Sequence, residues 1–435
     1  MTVVELVTPI EGTLASLGAR AAGLPGDRAW LDSSIGVPGR GDWSVLALEL
    51  EPDVSIAGDA DPGAAHATLR AWDRGLRYDP SRRLGRVGWI AWEAARIFEP
   101  AQPAPRPIPM PVVRFDRVRA AVFATPDGSE LVVDGTDTAD ATRRRDHWLA
   151  ALADATPVAP GPLPGVVLPT PSRRAHHAAV ESIVASIRAG RVYQACLTHP
   201  YWFEGAVDVF AAWLTLRGRS PGDFGAWLRV GATEVASTSP ERFASINPDG
   251  WIESRPMKGT RRRDGDDARL AHELAASAKD RAENIMIVDL VRNDIGRVAV
   301  PGTVSVPSLC EVEQYATVLQ MTSTVRGRLR DGVGRLEALG ALFPPGSMSG
   351  APRIEACHVL AELETEARGL YGGSIVWCGH DGAVRSSVVI RTLQRWGDRT
   401  RWDVGGGIVV DSDPDAEWCE AVTKAAPMGI PAEEA

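Results

Sequence analysis

The sequence of 435 residues is long enough for about three domains, and its 44% hydrophobic and 24% charged residues are typical of a folded globular protein. Acidic residues outnumber basic ones by 56 to 47, and the net charge of −9 excludes a surface that collects nucleic acid or anionic lipid by charge alone. Five cysteines stand singly, so neither a disulfide framework nor a zinc site is predicted. No apolar stretch approaches the length of a membrane span, and Glu5 and Glu11 interrupt the first one. We therefore expect a cytoplasmic protein without a signal peptide or membrane anchor.

The first third of the chain predicts short, mixed elements, separated from the rest by proline. Two proline-rich stretches, 100–111 and 157–171, are incompatible with a helix or a central strand and indicate surface connections. The second stretch predicts a boundary between an N-terminal accessory region, 1–155, and a C-terminal region, 172–435. Within the first region, residue patterns predict strands at 43–50, 113–124 and 130–133 and helices at 64–74 and 139–153.

The C-terminal region opens with an amphipathic helix, because Val180, Ile183, Val184 and Ile187 recur at helical spacing before Gly190. The mixed order of the elements that follow favours an α+β fold, in which antiparallel sheets are flanked by helices. The predicted strands are 192–198, 224–230, 234–237, 317–325, 373–378, 383–393 and 402–410, and the predicted helices are 267–294, 353–364 and 414–425.

Two predicted helices each carry a pair of carboxylates three residues apart, and therefore on one helix face. The pairs are Asp280 with Glu283 and Glu417 with Glu420. Two such pairs that converge can bind a hard divalent cation such as Mg²⁺. Taken alone, either pair is better explained as a solvated acidic face, by roughly three to one.

Lysine is rare in this sequence and therefore informative. The 47 Lys and Arg residues include only three lysines, at 258, 279 and 424. Only lysine of the two can lose its proton near neutral pH and act as a nucleophile. Lys258 lies in the turn-like segment R-P-M-K-G-T, which favours such a role, and Glu241 in S-P-E-R-F is a candidate general acid or base, with a surface ion pair to Arg242 as the alternative.

Glycine clusters at 405–407 and around 346–350 allow backbone N–H groups to approach an anion, although neither matches a nucleotide-binding motif and ordinary turns explain them equally well. The residues alone therefore predict a metal-assisted reaction on a small anionic substrate.

Together these segments resemble the chorismate-utilising enzymes, and within them the aminodeoxychorismate branch of para-aminobenzoate and folate synthesis. The resemblance extends from about residue 175 to the C-terminus, and the N-terminal motifs W-L-D-S-S and G-W-I-A-W-E-A-A-R resemble the family's accessory half less specifically. The motifs that carry it are G-R-V-Y-Q-A-C-L-T, S-P-E-R-F, R-P-M-K-G-T, D-R-A-E-N-I-M-I-V-D-L-V-R-N-D-I-G, G-S-M-S-G-A-P-R, I-R-T-L and G-G-G-I-V-V-D-S-D-P.

The resemblance implies a Mg²⁺ site that holds the ring carboxylate of chorismate. Glu283 and Glu420 would bind the metal directly, and Asp280 and Glu417 would act largely through water. It also implies an anion site for the enolpyruvyl carboxylate, made by the side chains and amides of Tyr371, Arg391, Gly406, Gly407 and Lys424.

Lys258 selects the branch, because the related anthranilate and isochorismate enzymes usually carry alanine at this position. The resemblance implies that Lys258 adds to the ring and expels the para hydroxyl, which Glu241 protonates, before ammonia displaces the lysine. Gln194 stands where water-adding isochorismate enzymes carry a lysine, which argues against that reaction. Gln320 and Arg353 replace the histidine and lysine of many relatives, and Gln320 argues against elimination to an aromatic product.

Ammonia has to be supplied to this reaction, and no cysteine here lies in the G-x-C-x-G setting of a glutamine amidotransferase. We therefore expect a separate amidotransferase subunit as partner. The alternatives are synthesis of anthranilate or aminodeoxyisochorismate, then formation of isochorismate, and finally a non-catalytic relative that binds Mg²⁺ or another ligand.

Overall fold

The computed structural model describes residues 3–33, 43–169, 171–203, 205–315 and 318–429. The α-helices are α1 Leu14–Gly23, α2 Pro62–Gly75, α3 Ala95–Phe98, α4 Thr138–Asp154, α5 Arg173–Arg188, α6 Val209–Arg219, α7 Asp267–Ala276, α8 Ala278–Val298, α9 Arg335–Leu342, α10 Arg353–Leu363 and α11 Pro414–Ala425. Two short 3-10 helices cover Trp92–Ala94 and Ala426–Met428.

The strands alternate with these helices without a regular βαβ order. They are β1 Val4–Ile10, β2 Arg28–Asp32, β3 Val45–Ile56, β4 Gly85–Ile90, β5 Val113–Thr125, β6 Gly128–Gly135, β7 Val166–Pro169, β8 Gln194–Phe203, β9 Phe224–Val230, β10 Thr233–Ser239, β11 Arg242–Ile246, β12 Trp251–Ser254, β13 Met257–Arg262, β14 Ser305–Gln314, β15 Val318–Arg328, β16 Gly350–Ala351, β17 Ser374–Gly379, β18 Val384–Val388, β19 Thr392–Trp396 and β20 Arg399–Ile408.

Strand β5 joins two arms of one antiparallel sheet. It pairs with β3 along most of its length and with β4 and β6 towards its two ends. The first arm continues from β3 through β2, β9, β10, β19 and β20 to β8. The second continues from β4 through β17, β18, β11 and β12 to β15, which also pairs with β13 and β14.

The largest hydrophobic core lies between strands of both regions of the chain. It contains Trp89 and Phe115 from the N-terminal region and Phe243 and Trp377 from the C-terminal region, all of them buried. Strand pairs β2–β9 and β4–β17 also join the two regions. The predicted division between residues 155 and 172 stays a prediction. The two regions are joined by strand pairs and by a common hydrophobic core.

The α+β prediction with antiparallel sheets is confirmed, and several elements match their predicted bounds closely, including β9, α10 and α11. Two predictions are wrong. The helix predicted over 267–294 is two helices, because Ser277 accepts a hydrogen bond from the backbone N–H of Asp280 and starts a new helix. The strand predicted over 383–393 is divided into β18 and β19 by Val389–Arg391. Thr317, at the start of one predicted strand, lies outside the described residues.

No helix among the described residues is long and apolar enough to cross a lipid bilayer.

Candidate active site

Two connections between the arms of the sheet hold candidate residues. Glu241 lies where the chain passes from β10 in the first arm to β11 in the second, and Arg391 lies where it returns from β18 to β19. Both connections are hydrogen-bonded to the adjoining strands. The N–H of Val388 donates to the carbonyl of Glu241 over 3.0 Å, and the N–H of Thr238 donates to the carbonyl of Arg391 over 3.0 Å. The topology therefore brings two residues 150 positions apart to one end of the sheet.

Lys258 lies in an irregularity of β13. The pairing with β15 shifts register between Met257 and Thr260, so Lys258 and Gly259 form a bulge. Gly259 has a φ of +79°, and a β-carbon there would lie 2.9 Å from the Asp280 side chain. Glycine therefore lets the carboxylate-bearing helix α8 approach the nucleophile candidate closely.

The ammonium of Lys258 reaches the glycine-rich end of β20. A β-carbon placed on Gly407 would lie 3.0 Å from Nζ of Lys258 and 2.6 Å from Nε2 of Gln194, so any larger residue would collide with them. Gln194 is fully buried, and both polar atoms of its amide lack a hydrogen-bond partner. In the described part of the chain, Lys258 itself has no hydrogen-bond or ion-pair partner. A buried amide and an unpaired ammonium side by side are typical of a site that receives a polar ligand.

Glu241 is buried and lies within electrostatic range of this lysine. Its backbone N–H donates to the Ser239 hydroxyl over 3.2 Å, which fixes the connection. Burial raises the pKa of Glu241 to about 7, and the Ser347 hydroxyl and the Lys258 ammonium oppose this effect only in part. A carboxyl group that holds its proton near neutral pH can act as a general acid.

Arg391 has the backbone strain expected of a functional position. Its φ of +50° lies in the left-handed region that residues other than glycine seldom adopt. Burial lowers the pKa of its guanidinium, and within the described residues no carboxylate pairs with it. An anionic ligand would supply the missing partner.

Tyr371 is 4% exposed and lies in the segment before β17. Burial raises the pKa of its hydroxyl, so this group stays protonated and can donate a hydrogen bond at neutral pH.

The two carboxylates of α11 converge on β20. A β-carbon on Gly406 would lie 3.1 Å from Oε2 of Glu417 and 3.7 Å from Oε1 of Glu420. Burial, with repulsion from Glu420, raises the pKa of Glu417, whereas the Lys424 ammonium 2.7 Å away is the main cause of the lowered pKa of Glu420. Lys424 also donates to the carbonyl of Gly405 over 2.6 Å. Lys424, a predicted anion ligand, is therefore engaged with the acidic helix itself.

The carboxylates of α8 face cations instead. Asp280 pairs with Arg261 at 2.8 Å, and Glu283 lies 4.0 Å from Lys279. Lys279 also acts electrostatically on both Glu417 and Glu420, so α8 and α11 lie close enough to interact.

The four carboxylates supply the oxygen donors that Mg²⁺ prefers, and a cation would relieve the repulsion that contributes to the raised pKa of Glu417. No group of three or more candidate ligands in the described chain is arranged to hold a metal. The chemistry of the donors suits Mg²⁺, but their arrangement in the described chain is not that of a metal site, so the metal site stays a prediction.

Arg353, one of the two departures from the family pattern, has a structural partner. Its guanidinium pairs with both oxygens of Asp294, with one distance of 2.9 Å, and both side chains are buried. This pair joins α10 to α8. The other departure, Gln320, lies opposite Thr260 in the β13–β15 pair, two residues from Lys258.

Residues 46–429 match the family described as chorismate binding enzyme. The chain belongs to this family. The resemblance inferred from the motifs is thereby confirmed.

The named relatives fall into two groups. An aminodeoxychorismate synthase of Streptomyces pristinaespiralis is 46% identical over 249 residues, which are 57% of this chain and 35% of that protein. Anthranilate synthase component 1 of Bacillus subtilis is 39% identical over 256 residues, 58% of this chain and 50% of that protein. The matched segment thus spans a third to a half of these relatives' length.

Among solved structures, anthranilate synthase component I from Streptococcus pneumoniae TIGR4 superposes with a TM-score of 0.80 at 26% identity, covering 90% of this chain and 92% of that one.

Proposed function

We propose that this chain aminates chorismate at the para carbon to give 4-amino-4-deoxychorismate, with Lys258 as the nucleophile. The observation that carries the proposal is the unpaired side chain of Lys258 within electrostatic range of buried Glu241, whose pKa is raised to about 7. A nucleophile and an acid thus stand together in a family that binds chorismate. The similarity to a named aminodeoxychorismate synthase supports the same reaction.

The reaction begins with Lys258 as a neutral amine. Its Nζ lone pair forms a bond to a ring carbon, electrons shift through the ring, and the bond to the para hydroxyl breaks. Glu241 gives its proton to the departing oxygen, which leaves as water. Ammonia then bonds to the para carbon, and the bond from the ring to Lys258 breaks. The ionised Glu241 takes up the proton that the new amine releases, so that the sum is chorismate plus ammonia giving the amine plus water.

Substrate orientation is assigned to the charged groups of the site. Arg391 and Tyr371, with the amides of Gly406 and Gly407, would hold the enolpyruvyl carboxylate, and Lys424 would add positive charge once released from Glu420. A bidentate guanidinium–carboxylate contact is well suited to fix a planar anion.

When bound by Glu283 and Glu420, with Asp280 and Glu417 acting through water, Mg²⁺ would neutralise and orient the ring carboxylate.

Ammonia would be supplied by a separate glutamine amidotransferase chain, or by free ammonium at high concentration. The sequence offers no cysteine in the setting of a glutaminase nucleophile, which is the basis of this part of the proposal.

Ortho amination, leading to anthranilate, is the second candidate. It is favoured by the similarity to anthranilate synthases in sequence and in fold. Lys258 discriminates between the two, because direct attack of ammonia at the ortho carbon needs no enzyme nucleophile.

The test combines product identification with trapping. Chorismate, Mg²⁺ and ammonium are incubated with the protein, and the product is identified by mass and ultraviolet spectrum. Without ammonia, mass spectrometry should find a substrate-derived adduct on the peptide that contains Lys258. Lys258→Arg keeps the charge but cannot deprotonate, so it should form neither adduct nor product. Anthranilate as the main product, or normal amination by Lys258→Arg without any adduct, would contradict the proposal.

A further inference from the structure

The motif W-E-A-A-R of the N-terminal region contacts the segment that carries Tyr371. Within it, Trp92–Ala94 form a 3-10 helix directly after β4. The Glu93 carboxylate accepts hydrogen bonds from the backbone N–H of Arg368 over 2.9 Å and from that of Gly369 over 3.3 Å. Trp92 donates its own N–H to the carbonyl of Gly369 over 2.8 Å. One short helix therefore binds both polar groups of a peptide backbone two residues before Tyr371.

The Arg368 side chain extends this contact to two backbone segments that adjoin candidate site residues. Its guanidinium donates to the carbonyl of Met348 over 2.7 Å and to that of Cys196 over 2.8 Å. Met348 follows Ser347, whose hydroxyl partly offsets the raised pKa of Glu241. Cys196 on β8 lies opposite Gly407 on β20. The same guanidinium forms a buried ion pair with Glu364 and stacks 3.9 Å above the Trp92 ring. Arg368 thus connects the motif with the loop around Met348 and, through Cys196, with the strand pair that carries Gly407.

The C-terminal region contributes a second set of contacts to the same backbone. Gln394 accepts from the N–H of Leu370 over 3.0 Å, and Arg401 donates to the carbonyl of Arg368. Gln394 on β19 and Arg401 on β20 therefore bind the backbone of residues 368–370 from the C-terminal region. Glu93 and Trp92 supply its contacts from the N-terminal region.

We propose that Glu93 is a positioning residue through which the N-terminal region fixes Tyr371 and Arg368 for chorismate binding. This inference rests on the proposed role of Tyr371 in binding the enolpyruvyl carboxylate. Removal of the Glu93 carboxylate frees two backbone donors next to Arg368, so the segment loses its fixed distance to Gly407 and the loop around Met348. The expected loss therefore falls on chorismate affinity.

Asp73 is a matched control. It is 4% exposed against 6% for Glu93, and it also lies in the N-terminal region. Oδ2 of Asp73 accepts a hydrogen bond from the backbone N–H of Glu337, in the C-terminal region, over 3.0 Å. Oδ1 of Asp73 lacks a hydrogen-bond partner, and so does Oε2 of Glu93. Asp73, however, binds the start of helix α9, which carries none of the proposed site residues. The two carboxylates thus both bind backbone N–H groups of the C-terminal region, but only Glu93 binds the segment next to Tyr371.

The experiment measures the dissociation constant of chorismate by calorimetry, the KM and kcat with ammonium, and the melting temperature. Glu93→Ala and Glu93→Met, which both remove the acceptor oxygen Oε1, should weaken chorismate binding by roughly tenfold, the order expected from losing hydrogen bonds to a carboxylate. Glu93→Gln can present its carbonyl oxygen to the same two N–H groups and should stay within about threefold of wild type. Asp73→Ala and Asp73→Asn should lower the melting temperature and leave the dissociation constant within about twofold of wild type.

Chorismate affinity within about twofold of wild type in Glu93→Ala and Glu93→Met would overturn the inference, as would equal affinity losses in the Asp73 variants. If Glu93→Ala does not fold, Glu93→Met, which keeps most of the side-chain volume but has no acceptor oxygen, decides alone. A wild-type protein that binds chorismate but forms no aminated product would overturn the proposed function, while the affinity comparison would still decide on Glu93.

Discussion

The raised pKa of Glu241 leads to a prediction about the pH dependence of turnover. Burial raises this pKa to about 7, well above the ordinary value for a glutamic acid. As a general acid, Glu241 has to be protonated, and its protonated fraction falls about tenfold for each pH unit above 7. At a pH of about 9, roughly 1% of the molecules retain the proton. From this cause alone, wild-type kcat at a pH of about 9 should be about a hundredfold lower than the kcat of the fully protonated enzyme.

Lys258 has to be neutral in the same reaction, so the raw pH profile combines two ionisations of opposite sign. Glu241→Gln removes one of them, because an amide has no acidic proton to donate. The informative quantity is the ratio of wild-type to Glu241→Gln kcat. It should start at roughly 10²–10⁴ below pH 7, the usual contribution of general acid catalysis, and then fall about tenfold per pH unit.

The assay follows chorismate consumption at saturating chorismate and Mg²⁺, with the concentration of free NH₃, rather than total ammonium, held constant at each pH. Glu253→Gln is the control, because Glu253 lies on the second arm, which begins directly after Glu241, but is paired with Arg242 at 2.7 Å. It should reproduce the wild-type profile. A ratio that stays constant between pH 6 and 9 would show that Glu241 is not the proton donor.

Three further predictions concern the metal, the nitrogen source and a buried ion pair. EDTA should abolish turnover, and turnover that survives EDTA would contradict the metal site. Glu283→Gln or Glu420→Gln should raise the Mg²⁺ concentration needed for half-maximal activity far more than changes at Asp280. Ammonium should support turnover of the isolated chain, whereas glutamine should not, as judged by product formation. Arg353→Met leaves the buried Asp294 carboxylate uncompensated and should cost roughly 3–5 kcal/mol in urea unfolding, most of which the double variant with Asp294→Leu should restore.

Local patterns in the sequence were sufficient to predict several parts of the fold and site. The carboxylates of α11 lie three residues apart on a helix whose bounds match the prediction, because Asp413 caps its start and proline follows at the first helical position. Lys258 is selected by its rarity and its turn-like surroundings, but the structure places it inside strand β13, at a bulge and not in a turn.

Contacts between distant segments could not be predicted in the same way. The left-handed backbone of Arg391 follows from a connection between two arms of a sheet, and no residue pattern near Arg391 indicates it. Glu93 lies 275 positions from the backbone it binds, and its motif resembles an ordinary apolar turn until that partner is known. The break at Ser277 was visible in principle, since serine three residues before an acidic residue is a common helix start, but the continuous charge pattern concealed it.

Residues 194 and 258 have to be interpreted together, because the end of each side chain lies against Gly407. A lysine at 194 would place a second ammonium in this small space, and like charges a few ångströms apart in a buried site oppose each other strongly. The neutral amide of Gln194 avoids this repulsion and leaves Lys258 as the only cation of the two side chains that lie against Gly407. Gln194 has no basic group that could activate water, so of these two side chains only Lys258 can act as a nucleophile or base. The presence of Gln194 thus supports the assignment of Lys258 as the group that attacks the ring.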